Sequence, residues 1–318
     1  MRKQINFLLI FLLVSTSWAV GPQEELIPAD AKWVVHTDME KLKASHLGTL
    51  IIDELNQKEG LEDKLSIFAD VFGFNPLKDI EGVTLYGNDK NPENGVALIQ
   101  AAFDTEKFLR LLRQNPEYDI YDYGDHQIHR WLDEKKNIIQ FGTFANKNLG
   151  IISRSKEKVQ SALDVVEGTR ENLGSTQALG SLEEMPRGTF FTIAAENLTE
   201  LTDGNPKAKV LKNAHGLAMF LGEVDKNIFM DIDITAADSE TATQIQQVFL
   251  GIKAFLILNQ EKNPKLADLA QAVKITVDGI TTKLSLSYPS EDAFVVLQKM
   301  AEAKRKARQK KSHQCERP

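Results

Sequence analysis

Apolar and polar residues follow two periods along this chain, that of a strand and that of a helix. A buried-type strand at 33–37 is followed by Asp38 in the position of a helix N-cap, and leucine and isoleucine residues then recur at helical spacing. A hairpin, a short helix and alternating strands come next, and Ser155 caps a helix that ends at Gly168. The pattern therefore predicts strands and helices in alternation.

The same order of elements recurs in the second half. Four landmarks match in sequence order: Asp38 with Asn197, 102–106 with 236–240, Gly124 with Gly279, and Ser155 with Ser290. A unit of strand, helix, hairpin, helix, strands and closing helix suits a sheet with helices packed on one face. We therefore predict an α+β fold of two ferredoxin-like α/β repeats, with antiparallel or mixed sheets.

These patterns divide the chain into five segments. The predicted segments are a signal peptide at 1–19, a first repeat at 20–168, a linker at 169–187 that contains glycine and proline, a second repeat at 188–303 and a basic tail at 304–318. The sequence leaves open whether the two repeats stay separate or pack into one body.

The N-terminus has the pattern of a cleavable secretory signal. Arg2 and Lys3 precede an unbroken apolar run at 7–14, and small residues stand before the expected cut after Ala19. The run is shorter than the roughly 20 residues that cross a bilayer, so an uncleaved anchor is the weaker alternative. We predict an exported protein, periplasmic or extracellular, with no transmembrane segment after cleavage. Loss of Arg2 and Lys3 takes the formal charge from −7 to −9.

Composition agrees with an ordinary globular protein. Apolar residues make up 42% and charged residues 26% of the chain. The single cysteine, Cys315, cannot form an intrachain disulfide, and we interpret it as idle.

Several short stretches resemble a group of uncharacterised secreted bacterial proteins. They are the opening 27–31 (Ile-Pro-Ala-Asp-Ala), the spacing from Asp38 to Leu42, and 149–153 (Leu-Gly-Ile-Ile-Ser) ahead of Ser155 and Val159. Members of that group typically begin with a Pro-Ala-Asp-Ala stretch and repeat this strand-helix pattern. The resemblance covers most of the mature chain except the charged tail. It implies an envelope or extracellular location and supplies no activity.

No recognised catalytic or cofactor motif is present in the sequence. There is no Gly-x-Ser-x-Gly elbow, no phosphate-binding or dinucleotide-binding glycine loop, no His-Glu-x-x-His and no pair of Cys-x-x-Cys. His36 and Asp38 end the first strand, where many α/β proteins place chemistry, but Asp38 is already explained as a helix cap. We therefore predict no catalytic residue and no cofactor.

His126 and His129 form the only close histidine pair and are the weak candidates for a metal site. The surrounding alternation favours a strand or hairpin, in which positions i and i+3 face opposite sides and cannot share one ion. We interpret both as ordinary hairpin residues.

Two further segments suggest contacts with partners. The segment Val248–Leu258 is apolar except for Gly251 and Lys253, and we interpret it as a core helix in preference to a dimer or lipid contact. Its predicted stripe consists of Ile245, Phe249, Ile252, Phe255 and Leu256. The tail carries a run of cations suited to an anionic partner: Lys304, Arg305, Lys306, Arg308, Lys310 and Lys311. The alternative for the tail is a solvated helix end whose cations suit the helix dipole.

The leading functional hypothesis is an exported, non-catalytic binding or scaffolding protein of the envelope. Its partner would be an envelope protein, or an anionic surface held by the basic tail, and nucleic acid is not expected. One alternative is an exported hydrolase with an unfamiliar site that uses His36 or the His126 region. Another is a carrier of a lipid or other apolar ligand, suggested by the segment Val248–Leu258.

Overall fold

The computed structural model describes residues 21–58, 60–176, 179, 182, 185–198, 213–261 and 264–315, with side chains described as far as Ala303. The predicted signal peptide therefore lies outside the described residues, as does Leu201, the predicted counterpart of Leu42.

The described residues form twelve strands and eight α-helices. The strands are β1 (Trp33–Asp38), β2 (Ile80–Gly87), β3 (Val96–Ala101), β4 (Asp119–Tyr123), β5 (His126–Asp133), β6 (Ile138–Asn146), β7 (Leu149–Ser153), β8 (Thr189–Glu196), β9 (Ala214–Val224), β10 (Asn227–Ala236), β11 (Lys274–Asp278) and β12 (Thr281–Pro289). The helices are α1 (Met39–Ala44), α2 (His46–Asn56), α3 (Leu61–Phe72), α4 (Thr105–Leu112), α5 (Lys156–Val166), α6 (Ser239–Leu258), α7 (Pro264–Ala272) and α8 (Ser290–Cys315).

Helix starts follow the capping residues that the sequence offers. The Asp38 carboxylate accepts a hydrogen bond from the backbone N–H of Lys41 at 2.8 Å, and Ser155 accepts one from Lys158 at 3.2 Å. Both predicted caps are confirmed. Ser45, whose hydroxyl accepts from the backbone N–H of Gly48 at 2.9 Å, begins α2 and divides the single predicted first helix in two.

All twelve strands belong to one antiparallel sheet, in the order β11-β12-β10-β9-β8-β1-β2-β3-β7-β6-β5-β4. In the middle of the sheet β1 pairs with β8, and Val35 lies opposite Ile193. The prediction of two ferredoxin-like repeats is therefore wrong, because hydrogen bonds continue from strand to strand across the whole width. Pairing β1 with β8 satisfies backbone groups that would otherwise form two exposed strand edges.

Helices cover both faces of the sheet, so the prediction of helices on one face is also wrong. Ala194 and Ala195 are neighbours on β8 and point to opposite faces. Ala194 packs in a core with Val159 and Leu163 of α5, whereas Ala195 packs in a core with Ile245 of α6. Strand alternation places apolar side chains on both faces of these central strands. Each face therefore needs helices packed on it to keep those side chains from water.

A third buried cluster joins α2 and α8 to β8, β10 and β12. It contains Leu47 of α2, Ala293 of α8 and Leu286 of β12. Part of the predicted linker also packs on the body: Leu173 is buried, and the Arg170 guanidinium lies 3.0 Å from the Asp30 carboxylate.

Candidate functional site

His36 and Asp38, at the end of β1, both contact neighbouring parts of the fold. His36 is buried, and its Nδ1 lies 2.9 Å from the hydroxyl of Thr84 on the neighbouring strand. Asp38 is buried as the cap of α1, with the Lys41 ammonium 3.2 Å from Oδ2. The His36 contact joins β1 to β2, and the Asp38 contact begins α1.

The histidine pair of the β5 hairpin is divided between the two faces of the sheet. His126 Nε2 lies 2.8 Å from the Glu167 carboxylate, just after α5. The His129 ring lies on the other face, where its Nδ1 is 2.9 Å from the Tyr118 hydroxyl. Burial lowers the pKa of His129, and the charge of Arg113 lowers it further. Among the described residues no group of three His, Cys, Asp or Glu side chains could hold a metal ion.

A polar groove of about 510 Å³ lies on the sheet face opposite α6. Its charged lining includes Asp233, Asp278 and Lys283, and the Asp278 and Lys283 side chains pair at 3.6 Å. Next to this groove, burial and the charge of Asp233 raise the pKa of Asp231. The lining therefore mixes both signs of charge.

Helix α6 packs on the sheet with one side only. The helix begins at Asp238, whose carboxylate accepts from the backbone N–H of Thr241 at 2.7 Å. Ala242 and Ile245 are buried against the sheet, and Phe249 packs on the same core. Within the described part of the chain α6 is the one helix whose length and apolar composition would suffice to cross a membrane.

The other side of α6 exposes apolar side chains to solvent. Phe255 is 66% exposed and Leu258 is 82% exposed. We call this surface the apolar helix face, and it consists of Val248, Leu250, Ile252, Phe255 and Leu258. The interpretation of Val248–Leu258 as a core helix is therefore wrong for its outer side. The predicted stripe divides accordingly: Ile245, Phe249 and Leu256 are at least partly buried, whereas Ile252 and Phe255 are exposed.

The one charged residue of the segment is turned away from this surface. The Lys253 ammonium donates to the backbone carbonyl oxygen of Val273 at 2.6 Å and to that of Gln271 at 3.2 Å. These carbonyls lie at the C-terminal end of α7, where a cation is favoured by the helix dipole. The outer side of α6 from Val248 to Leu258 therefore carries no charged side chain.

The C-terminal helix α8 is connected to α6 through α7. α7 packs against both α6 and α8, and α8 exposes Leu297 and Met300. The backbone of α8 stays helical through Cys315, and Lys304 follows Met300 by four residues, about 6 Å along the axis. The side chains of the predicted anionic-partner residues, Lys304, Arg305, Lys306, Arg308, Lys310 and Lys311, lie outside the described residues.

Comparisons with known proteins give no family. No family model and no curated protein matches the chain. Among solved structures, crystal form III of TP0453 is similar with a TM-score of 0.48 and 10% identity, over 86% of this chain and 96% of that one. Crystal form IV gives a TM-score of 0.45 and 8% identity. A likeness at this level identifies no function for the chain.

Proposed function

We propose that this chain is a non-catalytic protein of the cell envelope that binds the surface of an anionic membrane. The observation that carries the proposal is the apolar helix face. The one charged residue between Val248 and Leu258, Lys253, is turned inward onto α7. An exposed apolar patch of this kind on a globular protein is typical of a contact with a membrane or a partner.

The apolar helix face can meet a membrane from one side. Its inner side packs on the core through Ile245 and Phe249, so α6 contributes one side to the bilayer and does not cross it. Burying the side chain of a valine, leucine, isoleucine or phenylalanine is worth roughly 1.5–3 kcal/mol. The apolar helix face has five such side chains, all of them partly exposed. Interfacial helices of this kind bury their apolar side about 5–10 Å into the boundary between headgroups and acyl chains.

The basic run on α8 supplies the second part of the attachment. Lysine and arginine residues near an anionic membrane contribute about 1 kcal/mol each, within a Debye length of the surface. The run Lys304–Lys311 begins four residues after the exposed Met300, on the same helix. Apolar burial and charge attraction act together here, and stable attachment of a soluble protein commonly needs two such signals.

The first test is flotation of the mature protein, residues 20–318, with lipid vesicles. We expect it to float with vesicles of phosphatidylglycerol and phosphatidylcholine and to stay in solution with vesicles of phosphatidylcholine alone. The double variant Phe255→Ser, Leu258→Ser should lose flotation, because it removes the two most exposed side chains of the apolar helix face. A chain that ends at Ala303 should bind more weakly and lose its dependence on salt.

A matched control is available on another helix. Ile67 on α3 is 62% exposed, close to the 66% of Phe255, and lies outside the apolar helix face. Ile67→Ser should float as the unchanged protein does. Flotation that survives the double variant, or that Ile67→Ser abolishes equally, would show that general surface apolarity and not this face holds the vesicle.

A further inference from the structure

A small polar pocket lies where the N-terminal segment meets the end of β2 and helix α5. Pro28 and Ala31 line it, so the Ile-Pro-Ala-Asp-Ala stretch at 27–31 forms one of its walls. Its polar lining consists of Asp30, Tyr86, Asn88, Lys158, Ser161 and Arg170. Ala31 and Tyr86 also belong to the core beneath α5, which places the pocket on the sheet face opposite α6.

The Tyr86 hydroxyl in this pocket is a buried polar group without a partner. Only 4% of the residue is exposed, and the hydroxyl makes no hydrogen bond within the described part of the chain. Burial raises the pKa of Tyr86, the charge of Arg170 lowers it and that of Asp30 raises it further, so the hydroxyl keeps its hydrogen at neutral pH. Buried polar groups nearly always have a partner. The hydroxyl therefore points to an acceptor that the chain itself does not supply.

The other free hydrogen-bonding groups of the pocket are also donors. Arg170 Nη2 donates to the Asp30 carboxylate at 3.0 Å, and a guanidinium has five N–H groups in all. The Ser161 hydroxyl adds a further donor. The carboxylate of Asp30 already accepts on both oxygens, from Arg170 on Oδ1 and from Asn88 on Oδ2 at 3.0 Å. The pocket therefore suits a group that is rich in acceptors.

Of the two cations in the lining, Arg170 is the one available to a ligand. The Lys158 ammonium already donates to the backbone carbonyl oxygen of Asn94 at 2.6 Å and to the Asp89 carboxylate at 3.1 Å. The Arg170 side chain is 42% exposed and that of Asp30 is 51% exposed, so water screens their pair and the pocket opens to solvent beside them. A planar guanidinium can hold Asp30 on one edge and a second carboxylate on another.

The volume of the pocket selects the size of the group that enters it. The pocket has about 40 Å³ of space, whereas a buried water molecule needs roughly 10–15 Å³. There is room for about three atoms of that size, which matches the non-hydrogen atoms of a carboxylate. A tetrahedral phosphate or sulfate ion is larger than this space.

We infer that this pocket binds the carboxylate of a small organic acid, with the Tyr86 hydroxyl and the Arg170 guanidinium as its donors. The rest of the acid extends past Arg170 to solvent. The stretch at 27–31 and helix α5 hold the pocket together from its two sides. Because the pocket and the apolar helix face lie on opposite faces of the sheet, this inference does not depend on the membrane contact.

The test is an NMR titration of the mature protein, residues 20–318, with sodium acetate at constant ionic strength. We expect saturable shifts of the amide signals of Gly87 and Asn88, which line the pocket. Acetamide has the shape of acetate without its charge and should bind more weakly by about tenfold. Phosphate should cause no saturable shift at these amides, because it does not fit.

Tyr86→Phe keeps the ring and removes the hydroxyl. It should weaken acetate binding by about tenfold or more, since a hydrogen bond to a charged group is lost. It should also raise the melting temperature in acetate-free buffer, because the variant no longer buries a hydroxyl without a partner. Arg170→Gln should likewise weaken binding, and its exposed position keeps the site testable if Tyr86→Phe fails to fold.

Tyr118→Phe is the matched control. The Tyr118 hydroxyl lies 2.9 Å from Nδ1 of His129, on the sheet face away from α5. Because this hydroxyl has a partner and is remote from the pocket, the variant should bind acetate as the unchanged protein does. Its melting temperature should not rise.

Three outcomes would overturn the inference. The first is the absence of saturable shifts with acetate in the unchanged protein. The second is undiminished acetate binding in a folded Tyr86→Phe or Arg170→Gln. The third is a lower melting temperature of Tyr86→Phe in acetate-free buffer, which would show that ordered water satisfies the hydroxyl and that the pocket holds water only.

Discussion

Glu223, near the end of β9, holds the first turns of two helices. Its Oε1 accepts from the backbone N–H of His46 at 2.7 Å, and its Oε2 accepts from the backbone N–H of Leu47 at 2.8 Å and from the Ser290 hydroxyl at 2.7 Å. A carboxylate is favoured at a helix N-terminus, and here one strand residue serves α2 and α8 together. Burial would raise the pKa of Glu223, but these hydrogen bonds and the charge of His46 outweigh burial and lower it.

Glu223→Gln should destabilise the protein by about 1–3 kcal/mol at neutral pH, because the amide cannot accept from all three donors. The lowered pKa also fixes the sign of the pH dependence. The carboxylate contributes its full stability above the ordinary pKa of 4.5 and loses it as the pH falls through the folded-state pKa. Urea unfolding measured from about pH 3 to about pH 7, a range that includes the ordinary pKa of 4.5, should therefore show a flatter acid limb in the variant.

Glu291 provides the control for this prediction. Its carboxylate also lies near His46, at 3.5 Å, but its side chain is 80% exposed. Glu291→Gln should leave stability and its pH dependence nearly unchanged, since exposed pairs contribute little. Equal losses in both variants would contradict the special role of Glu223.

At the scale of the element, α6 and α7 form a hairpin that is held together by an inward lysine. The Lys253 ammonium donates to carbonyl oxygens at the C-terminal end of α7. This contact explains how a helix with a lysine in its middle can present a surface without charge. A lysine stem commonly lies along apolar surface while its charge reaches a polar partner.

Lys253→Met should keep the apolar stem and remove the donor. The partly buried contact with the Val273 carbonyl oxygen and the exposed contact with that of Gln271 are then lost. We expect a loss of about 1–3 kcal/mol in the free energy of unfolding, measured by urea titration. The control is Lys274→Met, at an exposed position on β11, which should change stability little. If Lys253→Met proved as neutral as the control, the inward position of the ammonium in solution would be refuted.

At the scale of the whole molecule, the seam between β1 and β8 makes one folding unit of the two halves. Val34 on β1 is fully buried and packs in the core that includes Ala194 of β8 and Leu163 of α5. Because the sheet is continuous from one half to the other, no weakly connected boundary separates the halves. We therefore expect the molecule to unfold cooperatively.

Val34→Ala should therefore destabilise both halves together, by about 1–3 kcal/mol for the two lost methyl groups. Hydrogen exchange should show the protected amides of β5 and of β10 exchanging faster by the same factor. Val224→Ala, at a side chain 46% exposed on β9, should change neither. Faster exchange confined to the half that contains β5 would show that the halves unfold independently.

Local features of the fold were predictable because they depend on neighbouring residues. The caps Asp38 and Ser155 bond to amides three residues ahead, so sequence spacing alone places them correctly. The separation of His126 from His129 likewise follows from strand alternation, since positions i and i+3 face opposite sides. The signal peptide and the basic tail stay predictions from sequence.

Long-range pairing was not predictable in the same way. Matching landmarks such as Ser155 and Ser290 say nothing about which strand pairs with β1, and the choice of β8 joins the halves into one sheet. Contacts between side chains far apart in the chain were not predictable either. One apolar cavity is lined by Phe74, Phe103, Phe108 and Phe144. These residues lie too far apart in the sequence for the period of a helix or a strand to relate them.

The sequence by itself determined where helices begin, which strands alternate and that Val248–Leu258 is apolar. Each of these properties depends only on residues close together in the chain. Only the tertiary structure decided which side of α6 meets the sheet and which side meets solvent. An apolar helix buries whichever side its neighbours can cover, and here β10–β12 and α7 cover one side only. Lys253 turns inward for the same reason: the carbonyl oxygens that satisfy it belong to α7, which the chain brings back only after Leu258.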